Sequence, residues 1–388
     1  MLNDALNSAN DVIKRERQTR NWDNSLFQQE EVLEGKQPVT LLNGEMVGAL
    51  SMKIVTIHNL LPMMKMEDVD TGDVQIEELL SGIQESINQM FQFASKYILS
   101  EALPSSECEI LHGRSGYLKA IKFIRTELSD DSFGREIALE VIKQILEEGV
   151  EVGGGKLLLW KYKMKIHLGS LHGISGILHT LLDFDEEIES VNPDMLKLIE
   201  QTVMKMNEDY CLKTGNLAPT LKSCLPSAMP KRVDKLVQFC SGSPGHILLL
   251  TQMHRKCHKR EQDPASNSSS LQPSEEYLNR AGEVAESVLI PRGLLRKGVG
   301  LCHGISGNAF CFLSMYREMS KTNEEEAERW LKHAYEYANF GLDLLEELES
   351  VPDKPYSLYE GVAGLVCLLL GLVEGSDGAN AKFPCYEF

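Results

Sequence analysis

Lys297-Gly298-Val299-Gly300-Leu301-Cys302-His303-Gly304-Ile305-Ser306-Gly307-Asn308 sets a thiol and an imidazole side by side between two pairs of glycines, and an apolar run, Ala309 to Met315, follows. The run reads as a buried helix. Adjacent residues inside a helix point about 100° apart. Ahead of the helix, glycines let the backbone bend so that both side chains aim at one point. Thiolate and neutral imidazole together are common zinc donors. A structural cysteine beside a hydrogen-bonded histidine would read the same way, because cysteine is among the most buried residues.

The pattern recurs along the chain. It appears as Asn43-Gly44-Glu45-Met46-Val47-Gly48, one residue out of step, and as His112-Gly113-Arg114-Ser115-Gly116. It returns as His172-Gly173-Ile174-Ser175-Gly176, Ser241-Gly242-Ser243-Pro244-Gly245, His303-Gly304-Ile305-Ser306-Gly307 and Glu360-Gly361-Val362-Ala363-Gly364. The leading glycines are separated by 69, 60, 69, 62 and 57 residues. A period near 60 accommodates two helices and two loops, an αα-hairpin repeat. Ile76 to Ile98, Glu136 to Glu148, Met195 to Met206 and Glu324 to Leu348 carry helical apolar spacing, and strand-like alternation is nearly absent. The fold class that follows is all-α. Apolar helices behind each motif form an inner ring and amphipathic ones an outer layer, an α/α toroid with its glycine motifs at one mouth. Paired small residues are expected to let neighbouring helices approach closely.

Composition sets the outer bounds. Apolar content of 43% and charged content of 25% over 388 residues fit a globular chain with a large core. A net charge of −18 argues against nucleic acid and against attraction to anionic lipid. Nine cysteines without a disulfide-framework spacing suggest a reducing compartment, the cytoplasm, and the N-terminus reads as lacking a signal peptide. Residues 1–43 read as a short N-terminal segment, a polar helix from Leu2 to Gln18 and an acidic connector. Residues 44–388 read as a single domain, since the repeat resumes after each interruption. Leu212 to Lys231, with Pro219, Pro226 and Pro230, is expected to be a loop, and 262–276 a mobile insertion.

Register makes scattered residues into a candidate site. Cys240 and Cys302 each stand two positions before a leading glycine, and His303 adjoins the second. Two cysteines and one histidine leave a fourth position open, the catalytic arrangement for zinc, which binds and ionises a thiol. The alternative is that both cysteines pack as small hydrophobes. His172 opens the third motif and reads either as a general acid or base or as a satisfied core histidine. His112 is followed by Arg114, with Glu109 upstream. Lys297 could hold an anionic group or be an ordinary surface lysine. The rival cluster His254, Cys257, His258 lies in a strongly basic stretch read as a solvated helix end.

These residues resemble the lanthionine synthetase C-like family, in its eukaryotic glutathione-binding type. The resemblance lies in Cys240-Ser241-Gly242, in Lys297-Gly298-Val299-Gly300 with Leu301-Cys302-His303-Gly304-Ile305-Ser306-Gly307-Asn308, in Pro355-Tyr356-Ser357-Leu358-Tyr359-Glu360-Gly361 and in Phe383-Pro384-Cys385-Tyr386-Glu387-Phe388. It covers residue 40 to the end. It implies a seven-hairpin α/α toroid and a zinc ion held by Cys240, Cys302 and His303. It implies addition of glutathione to dehydroamino acids in peptides or proteins, with His172 as general acid. Lys297 matches a position near glutathione and Glu109 an acidic position near the mouth; Arg114 is grouped with them as substrate-binding. The resemblance also allows for peripheral association with the plasma membrane, although no basic amphipathic anchor is apparent. The chain departs from the family pattern at Phe239, Ser241 and Ser350. Six motifs with 43 residues ahead of the first read as either an open ring or a truncated isoform or gene model. A zinc- and glutathione-binding adaptor with little catalysis is the second reading. A glycosidase would need two facing carboxylates, for which only Glu109 and Glu360 offer themselves, with no obvious pairing. A Cys-His hydrolase is disfavoured because neighbouring residues seldom align as nucleophile and base.

Overall fold

The computed structural model describes residues 46–66, 73–225, 234–263, 270–348, 350–374 and 381–388. The N-terminal helix expected from Leu2 to Gln18, the opening of the first motif at Asn43-Gly44-Glu45, Pro226 and Pro230 of the expected loop, and residues 264–269 of the expected insertion lie outside them. The all-α expectation is borne out. Among the described residues the chain is helix and loop, with isolated bridges such as Tyr162–Lys165 and Gln238–Ser241 as its only β pairing. None of these helices is long and apolar enough to cross a membrane.

The residues form two compact units, one running to Glu147 and including Phe388, the other Glu148 to Glu387. In the first, α1 (Met46–Met66) packs against α2 (Asp73–Phe93) and against α3 (Arg114–Leu128), the helix behind the second motif. The helix α4 (Arg135–Gly153) contains the boundary between the units.

The second unit holds α5 (Ile174–Leu182), α6 (Asp185–Val191), α7 (Asp194–Asp209), α8 (Ser243–Gln262), α9 (Ser274–Val284) and α10 (Ile290–Arg292). It continues with α11 (Ile305–Met319), α12 (Glu324–Asp343), α13 (Leu345–Leu348) and α14 (Val362–Glu374). The motif helices pack in series, α5 on α8, α8 on α11 and α11 on α14. Every residue of α5 is buried, and α11 is buried from Ile305 to Tyr316. Helices apolar on all sides belong inside. The amphipathic α12 turns Ala327, Trp330, Ala334, Tyr337, Ala338 and Gly341 inward, at helical spacing, and packs along α11. In α14, by contrast, the stripe Val366, Leu370 and Val373 is exposed.

Two expectations change. The basic stretch Met253 to Arg260 is the end of α8, but it is not simply solvated: His254 and Cys257 are buried. Its charges are answered from other helices, by Arg255–Glu318, Lys256–Asp185 and Arg260–Glu200 pairs at 2.7, 2.6 and 3.3 Å. The motif glycines also have a different principal reason. A Cβ on Gly307 would overlap the Leu301 carbonyl, six residues upstream, and one on Gly245 would stand 2.5 Å from the Phe239 carbonyl oxygen, again six upstream. At Gly307 the tight approach is that of the helix start to its own loop, and at Gly245 the Ser170 side chain of a neighbouring loop stands closer still.

Candidate metal centre

Four of the motif loops fold back on themselves through the backbone, while at the fourth motif the Ser243 N–H donates to the Asn216 side chain at 2.9 Å. The first N–H of α5 donates to the carbonyl of His167 at 3.0 Å, that of α11 to Gly298 at 3.2 Å, and that of α14 to Pro355 at 2.8 Å, always seven residues upstream. In the first unit Arg114 N–H donates to Glu107 in the same way, at 3.0 Å. These bonds use N–H groups that a helix start would otherwise leave unpaired. The hydroxyls of Ser175 and Ser306 add bonds to the carbonyls of Leu168 and Val299, at 2.7 and 2.5 Å.

Successive loops of the second unit are then joined, rung by rung, at one register position. Leu171 N–H donates to Cys240 C=O at 3.4 Å, Cys240 N–H to Cys302 C=O at 3.1 Å, and Cys302 N–H to Tyr359 C=O at 2.7 Å. All four residues stand two before a leading glycine. The ladder therefore brings Cys240 beside Cys302 whatever their side chains, and His303 follows one residue later. The ligand atoms of Cys240, Cys302 and His303 all lie within 4.8 Å of one another, in a group that could hold a metal ion. Among the described residues it is the one such group; His254, Cys257 and His258 do not form another.

Its electrostatics favour a cation. Cys240 is held well below the ordinary thiol value, first by the hydrogen bond from Cys302 and then, against the effect of burial, by those from His303 and Gln238. Cys302 is pushed well above it, as donor to that sulfur and as a buried group. His303 is raised by its bond to Cys240. Two sulfurs, one of them eased toward the thiolate, with an imidazole beside them are a soft donor set.

A cavity of about 360 Å³ adjoins the group, lined by Gln238, Lys297, His303, Val351, Pro352, Asp353 and Glu360. Lys297 donates to Gln238 Oε1 at 2.7 Å, and Gln238 Nε2 donates to Cys240 Sγ at 2.9 Å. Lys297 lowers the Cys302 thiol value while Glu360 raises it, so both charges act at the sulfurs. Thus four predicted residues, Cys240, Cys302, His303 and Lys297, come together.

The other three have separate surroundings. His172 stacks on Tyr162 at 4.5 Å and meets His167 edge-on at 6.4 Å; its loop is tied to Cys240 through Leu171. In the first unit, the buried Glu109 carboxylate accepts from the backbone N–H groups of Leu111 and His112. Arg114, also buried, donates to Gln144 at 2.8 Å and to the carbonyls of Pro104 and Leu103 at 2.7 and 3.0 Å.

Glu360 and Gln238 also line the cavity; the sequence offered Glu360 only as a carboxylate for a glycosidase, and Gln238 not at all. Glu360 had a signal, since it occupies the position of His303 in the next motif. Gln238 had none, since its counterpart in the next motif is Gly300.

A family model described as lanthionine synthetase C-like protein matches residues 74–388. A zebrafish (Danio rerio) protein named glutathione S-transferase LANCL1 is 29% identical over 313 residues, which cover 78% of this chain and 67% of that protein. LanC-like protein GCL1 of Arabidopsis thaliana is 29% identical over 283 residues, 72% of this chain and 57% of that protein. The chain thus spans between about half and two thirds of the length of these relatives.

Proposed function

Because the chain belongs to the lanthionine synthetase C-like family, we propose that it activates the thiol of glutathione for addition to dehydroamino acids in peptides or proteins. The observation that carries this reading is the Cys240–Cys302–His303 group beside a cavity lined by Lys297. Similarity to a protein named glutathione S-transferase LANCL1 favours glutathione among thiols. The cytoplasm, where thiols are kept reduced, is the proposed setting of this activity.

The donor set fits zinc. Bonds of about 2.3 Å to sulfur and 2.0 Å to nitrogen in a tetrahedron require donors roughly 3.5–3.8 Å apart, and the three lie within 4.8 Å of one another, so a small contraction suffices. Held by Cys240, Cys302 and His303, zinc would supply the Lewis acidity that keeps an incoming thiol ionised at neutral pH.

The chain's own residues do the rest. Lys297 has one donor on Gln238 and offers the others to a carboxylate of the thiol substrate. As the substrate sulfur bonds to the β-carbon of the dehydroamino acid, the π pair moves to the α-carbon, which then takes a proton. His172 is the proposed donor of that proton, its ring held flat against Tyr162. Addition is complete without a leaving group.

The test is zinc per chain, with and without Cys302→Ala, followed by mass spectrometry of a dehydroalanine peptide incubated with glutathione. About one zinc, lost in the variant, and a glutathione adduct are expected. Zinc without adduct would leave a binding protein. A folded wild type without zinc would end the enzyme reading.

A further inference from the structure

We infer that Gln238 is a positioning residue for the metal group: one end of its amide donates to the Cys240 sulfur while the other fixes Lys297 at the cavity wall. The inference rests on reading Cys240, Cys302 and His303 as metal ligands. It concerns a residue that the repeat itself does not require.

The direction of the amide is set by chemistry. Lys297 Nζ lies 2.7 Å from one end of it, and an ammonium has donors only, so that end is the oxygen. The other end, 2.9 Å from Cys240 Sγ, is therefore the NH₂ group, and the contact is an N–H···S bond. The side chain is buried, so neither bond competes freely with water. Its backbone is fixed as well. Gln238 N–H donates to Ser241 C=O at 3.2 Å and Ser241 N–H returns to Gln238 C=O at 3.1 Å, closing a tight turn that contains Cys240. The ligand and the residue that orients it thus share one rigid turn. The turn does not demand the amide, because backbone groups alone close it.

Two effects follow. An N–H donor on a ligating sulfur draws off charge and fixes the direction of its remaining lone pairs, as partners of metal ligands commonly do. At its other end, Gln238 takes one rotamer of a flexible lysine and holds it, leaving its remaining donors to an anionic substrate group. A glutamate here would still hold Lys297 but has no proton for the sulfur. A leucine could do neither.

The experiment uses the full chain loaded with zinc, and separately with cobalt, as wild type, Gln238→Leu, Gln238→Glu and Lys297→Met. Zinc affinity is read by chelator competition, the sulfur-to-cobalt charge-transfer band by absorption, and KM apart from kcat for glutathione. Both Gln238 variants are expected to lose about 10- to 100-fold in zinc affinity and to shift the cobalt band. Lys297→Met should leave the band in place. Gln238→Glu should keep KM near wild type, whereas Gln238→Leu and Lys297→Met raise it. Circular dichroism separates these effects from misfolding, and a shifted cobalt band in a folded variant is not a packing effect. Gln238 variants that hold zinc to within about twofold of wild type, with an unshifted band, would overturn this inference alone. A wild type that holds neither ion would overturn the metal reading and the inference with it.

Discussion

Replacing Gly307 by alanine tests the loop geometry on which the Cys240–Cys302–His303 group stands. A Cβ there would overlap the Leu301 carbonyl oxygen and lie 2.7 Å from its carbonyl carbon and 3.1 Å from its Cα, where ordinary contact begins at 3.4 Å. The obstacle is backbone, so no side chain can swing away. To clear the carbonyl oxygen, helix start and loop must part by more than about 1 Å, an overpacking strain. That movement strikes Gly307 N–H to Gly300 C=O, the bond from Ser306 Oγ to Val299, and the rung at Cys302, one residue beyond Leu301. The expected loss is roughly 3 kcal/mol, the upper end for an overpacked core. In a unit of this size that is about 6–12 °C in Tm. Gly282→Ala is the matched control: its Cβ would meet Trp330 at 3.7 Å and Met315 at 4.0 Å, ordinary contacts inside α9. It should raise stability by about 0.5–1 kcal/mol through helix propensity and reduced unfolded-state freedom. Urea unfolding and thermal melts, each with zinc analysis, compare the two. If Gly307→Ala melted with wild type and kept its metal, the loop-return account of the glycines would be wrong.

Three further outcomes are expected. His246 is buried, with Nε2 bonded to Asn207 Oδ1 at 2.8 Å, and burial, then Arg280, pushes it down from 6.5 to about 3. The unfolded chain takes up that proton below pH 6.5, so the contribution is complete above 6.5 and is lost as pH falls toward 3. At pH 5 the loss is about 2 kcal/mol, and urea unfolding of His246→Gln at pH 7 and pH 5 should show a correspondingly flatter dependence. Burial pushes the Glu387 carboxyl up, but Arg317 at 2.5 Å and Arg255 at 3.8 Å outweigh it and hold it below the ordinary range. That stability is present above the unfolded value and lost as pH falls through the lower folded one. Glu387→Gln should therefore cost about 3 kcal/mol at pH 7 and progressively less in acid, read by the same unfolding series. After chelation of bound metal, Cys240 should be alkylated first by iodoacetamide at neutral pH, ahead of Cys257 and Cys385, whose thiols burial raises to about 11 and 12; peptide mapping gives the order, and equal labelling would refute it.

What could be read from the sequence was whatever the repeat carries. The register that places a cysteine two residues before each of two leading glycines became a pair of adjacent rungs, because that position bonds from loop to loop through its backbone. Helical spacing gave α2, α4, α7 and α12 to within a few residues. Glu360 shared the register of His303 and could have been found by it, but it was weighed as a lone carboxylate. Gln238 lies outside the repeat, and its role depends on where Lys297 returns after a gap of 59 residues. The burial of His254 and Cys257 was hidden for a similar reason, since the acids that answer their basic neighbours come from α6, α7 and α11.

The distribution of chemistry follows from the same construction. The loop joins are backbone to backbone, so the residue two before each leading glycine can be Leu171, Cys240, Cys302 or Tyr359 without changing the rung. The next position is equally varied: His172, Ser241, His303, Glu360. A fold that asks only glycines and a helix-starting turn of its loops leaves these two places open to whatever side chain a site requires. The Cys240–Cys302–His303 group therefore uses the same backbone rungs as the other motifs. It arises where two successive rungs carry cysteine and the following residue is histidine, and the tuning is left to a residue such as Gln238 that the repeat does not constrain.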